Sequence, residues 1–263
     1  MENIIDMKKI KINYTHENSV ATITLDDGKG NVLDHIMMEE LHDLLSSLYS
    51  DSNLKFIIFE GAGKHFSFGA SVEEHKKEFA SAMLQEFHRV FYVIRDLAIP
   101  CAAKISGQCL GGGLELALMC NFLFADKTAK LGQPEIVLGV FPPPASILLP
   151  EKIGYARAEE LLITGKIISG EEAKAIGLVN ELFNDKNEMD AGVEKWIEQY
   201  ILPRSASSLR YAVRAARVKL NQIFTNFLPQ LESMYVNRLM NTHDANEGIN
   251  SFLEKRKPVW QNN

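Results

Sequence analysis

The chain has 263 residues, 46% of them hydrophobic and 24% charged, which suits one large soluble α/β domain, with or without an appendage, and excludes a disordered polymer. A formal net charge of −6 argues against a nucleic-acid binder, whose affinity rests on cationic contacts to phosphate. No run reaches the ~18 consecutive apolar residues of a membrane span, and Cys101, Cys109 and Cys120, an odd set without a CxxC pair, read as buried reduced thiols of a cytoplasmic protein.

The first fourteen residues have no apolar core of the secretory-leader kind and run straight into a strand pattern. Alternation over Val20–Leu25 predicts a half-buried strand, residues 26–31 supply turn chemistry, and His35–Leu48 has helical spacing. Phe56–Phe59 predicts a fully apolar strand closed by Glu60-Gly61-Ala62-Gly63, and a helix follows over Ala80–Asp96. Cys101–Ile105 reads as a buried strand, then a Gly-rich turn leads into a helix over 112–120 and a strand over Phe122–Ala125. Strands alternating with helices imply parallel pairing. The composition shifts near residue 200, and from Ser205 onward the pattern is mostly helix, interrupted at Pro229 and at 241–244. Leu209, Val213, Ala216 and Leu220 form one apolar stripe there, with Arg210, Arg214 and Arg217 on a neighbouring face that reads as solvated.

The segment Gly111-Gly112-Gly113-Leu114-Glu115-Leu116-Ala117-Leu118-Met119-Cys120 is the most informative. Glutamate is rarely buried without a partner, yet Glu115 has only apolar or glycine neighbours. Burial raises a carboxyl group towards the working range of a general acid or base; the plain alternative is an ion pair with a structural arginine or an outward position at one helical edge. The glycines before it leave helix N-terminal N–H groups open to close approach, which suits a developing oxyanion. A second carboxylate, Glu135, sits in Gly132-Gln133-Pro134-Glu135-Ile136-Val137-Leu138-Gly139, with one strand between it and Glu115, so both can reach one cleft. Its plain alternative is a helix-starting acid after proline. The chain has no G-x-S-x-G, H-E-x-x-H or complete G-x-G-x-x-G, and His65, His75 and His88 lack metal spacing and read as surface or satisfied residues.

Together, His65-Phe66-Ser67-Phe68-Gly69-Ala70-Ser71, Leu110–Ala117 and Gly132-Gln133-Pro134-Glu135 resemble the enoyl-CoA hydratase/isomerase (crotonase) family, as do Leu162–Gly165, Ala173–Val179 and Phe252–Lys257. The resemblance implies a crotonase-type spiral of repeated ββα units in residues 1–200, then a helical C-terminal oligomerisation region, 201–263, of a homotrimer or of a hexamer made from two trimers. It implies that the N–H groups of Ala70 and Gly112 form an oxyanion hole for the thioester oxygen. Glu115 and Glu135 match the family's catalytic pair, and having both favours hydration over isomerisation or hydrolysis. Phe68, Ser71, Val72, Gly111, Phe141, Pro142 and Lys255 are expected at the substrate; for Lys255 the plain alternative is a solvated basic tail. The implied partner is an acyl-CoA thioester, coenzyme A entering as part of the substrate, with no other cofactor, no metal, no nucleic acid and no membrane.

Two departures bear on the substrate. Val140-Phe141-Pro142-Pro143-Pro144-Ala145 replaces the Gly-rich stretch of many relatives, so the acyl-pocket wall is expected to be stiffer and bulkier. Glu73 stands where some relatives carry a basic residue near coenzyme A. Residues 66–75 and 139–142 are most similar to family members that hydrate a cyclic conjugated dienoyl-CoA in anaerobic benzoyl-CoA breakdown. The rivals are a linear 2-enoyl-CoA hydratase of β-oxidation, a hydrolase of an alicyclic oxo-acyl-CoA, and a non-catalytic RNA-binding or scaffold member.

Overall fold

The computed structural model describes residues 7–263. The reading of the N-terminus as leaderless falls partly on residues 1–6, which lie outside the described residues.

Strand β1 (Ile10–Thr15) pairs antiparallel with β2 (Val20–Leu25), and helix α1 (His35–Ser47) returns, its first turn capped by the Asp34 carboxylate accepting from the Met37 N–H. Then come β3 (Phe56–Gly61), α2 (Ala80–Leu97), β4 (Cys101–Ile105), β5 (Gln108–Leu110), α3 (Gly112–Met119), β6 (Phe122–Asp126) and β7 (Lys130–Gly132). A 3₁₀ turn over Pro134–Leu138 leads to α4 (Pro143–Ile153), α5 (Tyr155–Thr164), β8 (Ile167–Ser169), α6 (Gly170–Ala175), β9 (Glu181–Phe183) and α7 (Lys186–Tyr200). The chain ends in α8 (Ala206–Ala216), α9 (Val218–Asn237) and α10 (His243–Leu253).

One six-stranded sheet runs β1-β2-β3-β4-β6-β9, parallel except for the first pair; a second, smaller sheet runs β5-β7-β8. The register explains the two cores. Ile23, Phe59, Ala103 and Leu123 stand in one row across the large sheet and face the main cluster; the adjacent row of Ile58, Ala102 and Phe122 faces α7 through Met189, Val193 and Ile197. The repeated ββα unit is visible in β1-β2-α1, β4-β5-α3 and β6-β7-α4. In the unit of β3 and α2 the second strand shrinks to single bridges, Ser67 to Cys109 and Ala70 to Leu33. That gap in the ladder is where the site forms.

The C-terminal half departs from the sequence reading in two ways. The helix break falls at Arg217, and α9 runs through Pro229 without interruption. Proline at that place forfeits one bond to the Thr225 carbonyl, and the burial of Phe224, Leu228 and Tyr235 in the main cluster outweighs it. The break also splits the apolar stripe: Leu209 and Leu220 are half-buried and pack against different clusters, while Ala216 is exposed and α8 has no fully buried residue. The 241–244 turn stands, as a 3₁₀ turn over Leu239–Asn241 followed by Thr242 capping α10.

Candidate active site

The loop between β3 and α2 is held against β5 by main-chain bonds: the Ser67 N–H donates to Gln108 and the Leu110 N–H to Ser67, both at 3.0 Å. Two buried polar side chains brace it. The Ser67 hydroxyl donates to the Asn31 carbonyl at 2.6 Å and accepts from the Gly69 N–H at 3.0 Å. The Asn31 amide donates to the carbonyls of Ala62, His65 and Phe66 at 2.8–3.2 Å. Gly69 has φ +102°, and a methyl there would lie 2.8 Å from the Leu110 carbonyl, so only glycine permits the close approach. A methyl on Gly112 would lie 3.0 Å from the Ala70 nitrogen, which measures how near the two segments come. Gly112 opens α3 and so has no intrahelical acceptor; Ala70 sits where the ladder is interrupted. Among the described residues neither N–H donates to a protein oxygen. Ala70 and Gly112 thus present two adjacent free donors.

Glu115, in the first turn of α3, is 4% exposed, and its Oε1 accepts from the Ala145 N–H at 2.9 Å. The local sequence makes that bond natural. Pro143 and Pro144 begin α4 and have no N–H, so Ala145 carries the first free donor of that helix terminus, and it points at a carboxylate. Burial pushes Glu115 up to about 8, against the opposing pull of Ala145. Glu135, half-buried on the 3₁₀ turn, is pushed well above its ordinary range by burial and by the neighbouring Glu115 charge. The fully buried Gln133 amide lies against Glu135, and turned with its nitrogen towards that carboxylate it would donate to both oxygens, at 2.9 and 3.1 Å. A methyl on Gly111 (φ +50°) would stand 2.7 Å from the Glu135 Oε1, placing that carboxylate over the start of α3. Two carboxyl groups in one desolvated space keep at least one proton between them at neutral pH.

Both glutamates open onto one cavity of about 640 Å³ whose wall is mostly apolar. Ala70, Gly112, Phe68, Ser71, Val72, Gly111, Phe141 and Pro142 all line it. Lys255 does not: it is exposed, after α10, and only Phe252 and Leu253 of that helix reach the wall. Glu73 lines the cavity and pairs with Lys76. His65 accepts from the Gln108 N–H at 3.1 Å. His75, also in the wall, bonds the Ser71 carbonyl through Nδ1 at 2.7 Å, and burial holds it below the usual imidazole range, hence neutral. His88 is buried and bonded to Glu232, but its Nε2 has no partner among the described residues. Sequence reasoning missed Gln133, Ser67 and Asn31 as braces, and missed Tyr235, whose buried ring lines the cavity; an isolated Tyr in a helical run carries no local signal of function.

The solvated reading of the arginine row is wrong for Arg217. It is 9% exposed and donates to the Met119 carbonyl at 2.7 Å, while Lys152 donates to the Cys120 carbonyl at 3.1 Å. The eight-residue α3 ends buried, and its last carbonyls need donors. Two cations there oppose the partial negative charge of the helix end, as the glycine N–H groups at the other end face the cavity. Arg210 is half-buried and donates to the Asp51 carbonyl at 2.6 Å; Arg214 remains exposed. The three cysteines are buried and free, as expected.

The model of the enoyl-CoA hydratase/isomerase family matches residues 15–263. Cyclohexa-1,5-dienecarbonyl-CoA hydratase of Thauera aromatica is 41% identical over 253 residues, 96% of this chain and 97% of that one. A probable enoyl-CoA hydratase of Bacillus subtilis (strain 168) is 34% identical over 95% of this chain and 98% of its own. The crystal structure of an enoyl-CoA hydratase from Bacillus anthracis superposes with a TM-score of 0.76 at 30% identity, covering 97% of this chain and all (100%) of that one. An enoyl-CoA hydratase from Mycobacterium avium subsp. paratuberculosis K-10 reaches 0.85 at 22% identity over 97% and 100%, a likeness of fold.

Proposed function

The chain belongs to the enoyl-CoA hydratase/isomerase family, and from that premise we propose that it is a hydro-lyase acting on a conjugated cyclic dienoyl-CoA. The substrate is cyclohexa-1,5-diene-1-carbonyl-CoA and the product 6-hydroxycyclohex-1-ene-1-carbonyl-CoA, a step in the anaerobic breakdown of benzoyl-CoA. The observation that carries the reading is the meeting of Glu115 and Glu135 in one apolar cavity that also presents the N–H groups of Ala70 and Gly112.

One carboxylate removes a proton from water and the oxygen bonds to C2, the carbon β to the carbonyl. The electron pair moves onto the thioester oxygen, between the two N–H donors, as a dienolate spread over C1 and C5. The protonated carboxyl group delivers a proton to C5, and the remaining double bond becomes C1=C6. The raised proton affinities of both glutamates suit a pair that shares and exchanges protons in this way. Coenzyme A enters with the substrate and no further cofactor takes part.

The cyclic substrate is supported by the likeness to the Thauera aromatica enzyme and by a wall stiffened by Pro142 and Pro143 beside Phe141. A purified preparation is expected to turn over the cyclic dienoyl-CoA with a kcat/KM at least about tenfold above that for crotonyl-CoA; the reverse preference would establish the linear enoyl-CoA reading instead. Glu115→Gln and Glu135→Gln should each lower kcat by about 10²–10⁴, and near-normal turnover in either would remove the assigned roles. The proposed assembly is a homotrimer or a pair of trimers, supported by apolar side chains exposed on the C-terminal helices, Tyr211, Val218, Phe227 and Met234 among them; sedimentation velocity reads it directly. Three unpaired buried thiols accord with a cytoplasmic location, which cell fractionation tests. Among the described residues no helix is long and apolar enough to cross a membrane.

A further inference from the structure

Tyr235 projects from α9 with 1% of its surface exposed, and its hydroxyl has no hydrogen-bond partner among the described residues. Its ring belongs to the wall of the same cavity as Glu115 and Glu135, and Phe141 packs edge-on against it, centroids 5.4 Å apart at 65°. A buried hydroxyl without a partner is destabilising, and phenylalanine would fill this wall without that penalty. The orphaned O–H therefore calls for a ligand atom inside the cavity. We propose that Tyr235 is a third catalytic residue, donating its O–H to the oxygen that passes from water to the acyl group. The inference rests on the hydration reading above.

Burial and the field of both carboxylates keep the phenol protonated, so it acts as a donor and not as a base. As a carboxylate takes the proton from water, negative charge grows on the oxygen; the phenolic O–H stabilises that charge and orients the oxygen towards the β-carbon. The phenol keeps its own proton throughout, and in the reverse direction the same bond stabilises the departing hydroxide.

Tyr235→Phe keeps the ring and its contact with Phe141. It is expected to lower kcat by about 10–100-fold while KM stays within about twofold of wild type, for whichever thioester the wild type hydrates faster. A second measurement uses a Glu115→Gln background to suppress turnover. There, calorimetry compares 6-hydroxycyclohex-1-ene-1-carbonyl-CoA with cyclohex-1-ene-1-carbonyl-CoA, and 3-hydroxybutyryl-CoA with butyryl-CoA. The hydroxylated partner of the better-bound pair should bind about tenfold tighter, and adding Tyr235→Phe should erase the preference. Unchanged kcat together with an unchanged preference overturns the assignment. If the wild type hydrates neither substrate, the hydration reading fails, and the binding comparison still decides whether Tyr235 grips a hydroxyl.

Discussion

Glu115 shows how one side chain couples catalysis to stability. Its carboxyl group is shifted from an ordinary 4.5 to about 8, with burial as the dominant cause. The folded state therefore holds a proton that the unfolded chain releases above about pH 4.5. The sign follows: this group favours the fold fully below the unfolded value, and that contribution is lost as pH rises through about 8. The folded protein should be less stable at pH 8 than at pH 5. Glu115→Gln keeps the acceptor for the Ala145 N–H and removes the buried charge, so it is expected to raise Tm at pH 8 by about 3 °C or more and to change it little at pH 5. Thermal unfolding at the two pH values checks this; equal shifts at both would mean that Glu115 is ionised without cost. Sequence alone exposed this residue, because an acid flanked on both sides by apolar residues contradicts the ordinary exposure of glutamate.

Helix α3 is the element on which the site depends. Its N-terminus supplies the Gly112 N–H and carries Glu115, and its C-terminus is satisfied by Arg217 and Lys152. Burial and the nearby Arg217 push Lys152 down to about 8, the cost of placing two cations beside one helix end. Arg217→Leu should leave the Met119 carbonyl with only the long contact from the Cys101 thiol, at 4.0 Å, and cost about 1–3 kcal/mol, read from urea unfolding. A loss within about 0.5 kcal/mol would place Arg217 among ordinary surface residues. The glycines and Glu115 of this helix were legible because turn chemistry and a misplaced charge are local signals. Its C-terminal donors were not: Arg217 lies about a hundred residues further on, in a stretch whose arginine spacing looks like any solvated helix face.

At the scale of the whole molecule, the C-terminal helices close the cavity as well as ending the chain. Phe224, Leu228, Tyr235, Met240 and Ile249 belong to the same buried cluster as α2 and α3, and Tyr235, Phe252 and Leu253 line the cavity. Phe224, Leu228, Met240 and Ile249 alone bury side chains worth about 1.5–3 kcal/mol each, together comparable to the about 5–15 kcal/mol that holds a typical domain. A chain ending after residue 200 should therefore lack cooperative unfolding and near-ultraviolet dichroism. A truncated chain that melts sharply and still binds an acyl-CoA would show that residues 7–200 stand alone.

The amino-acid order determined the elements whose signals are local. The long strands and helices of the first 126 residues followed from alternation, helical spacing and turn residues, and the glycines and both glutamates stood out by their neighbours. The three-residue strands β5, β7, β8 and β9 are too short to show a period and exist only because the sheets around them offer partners. The meeting of Ala70 with Gly112 was expected only through the family resemblance and is made by the fold, and tertiary structure alone carried Tyr235, 120 residues beyond Glu115, into the same wall. Backbone preference is written residue by residue, whereas the convergence of distant side chains depends on strand register and on which surfaces are buried together; that is a property of the closed fold.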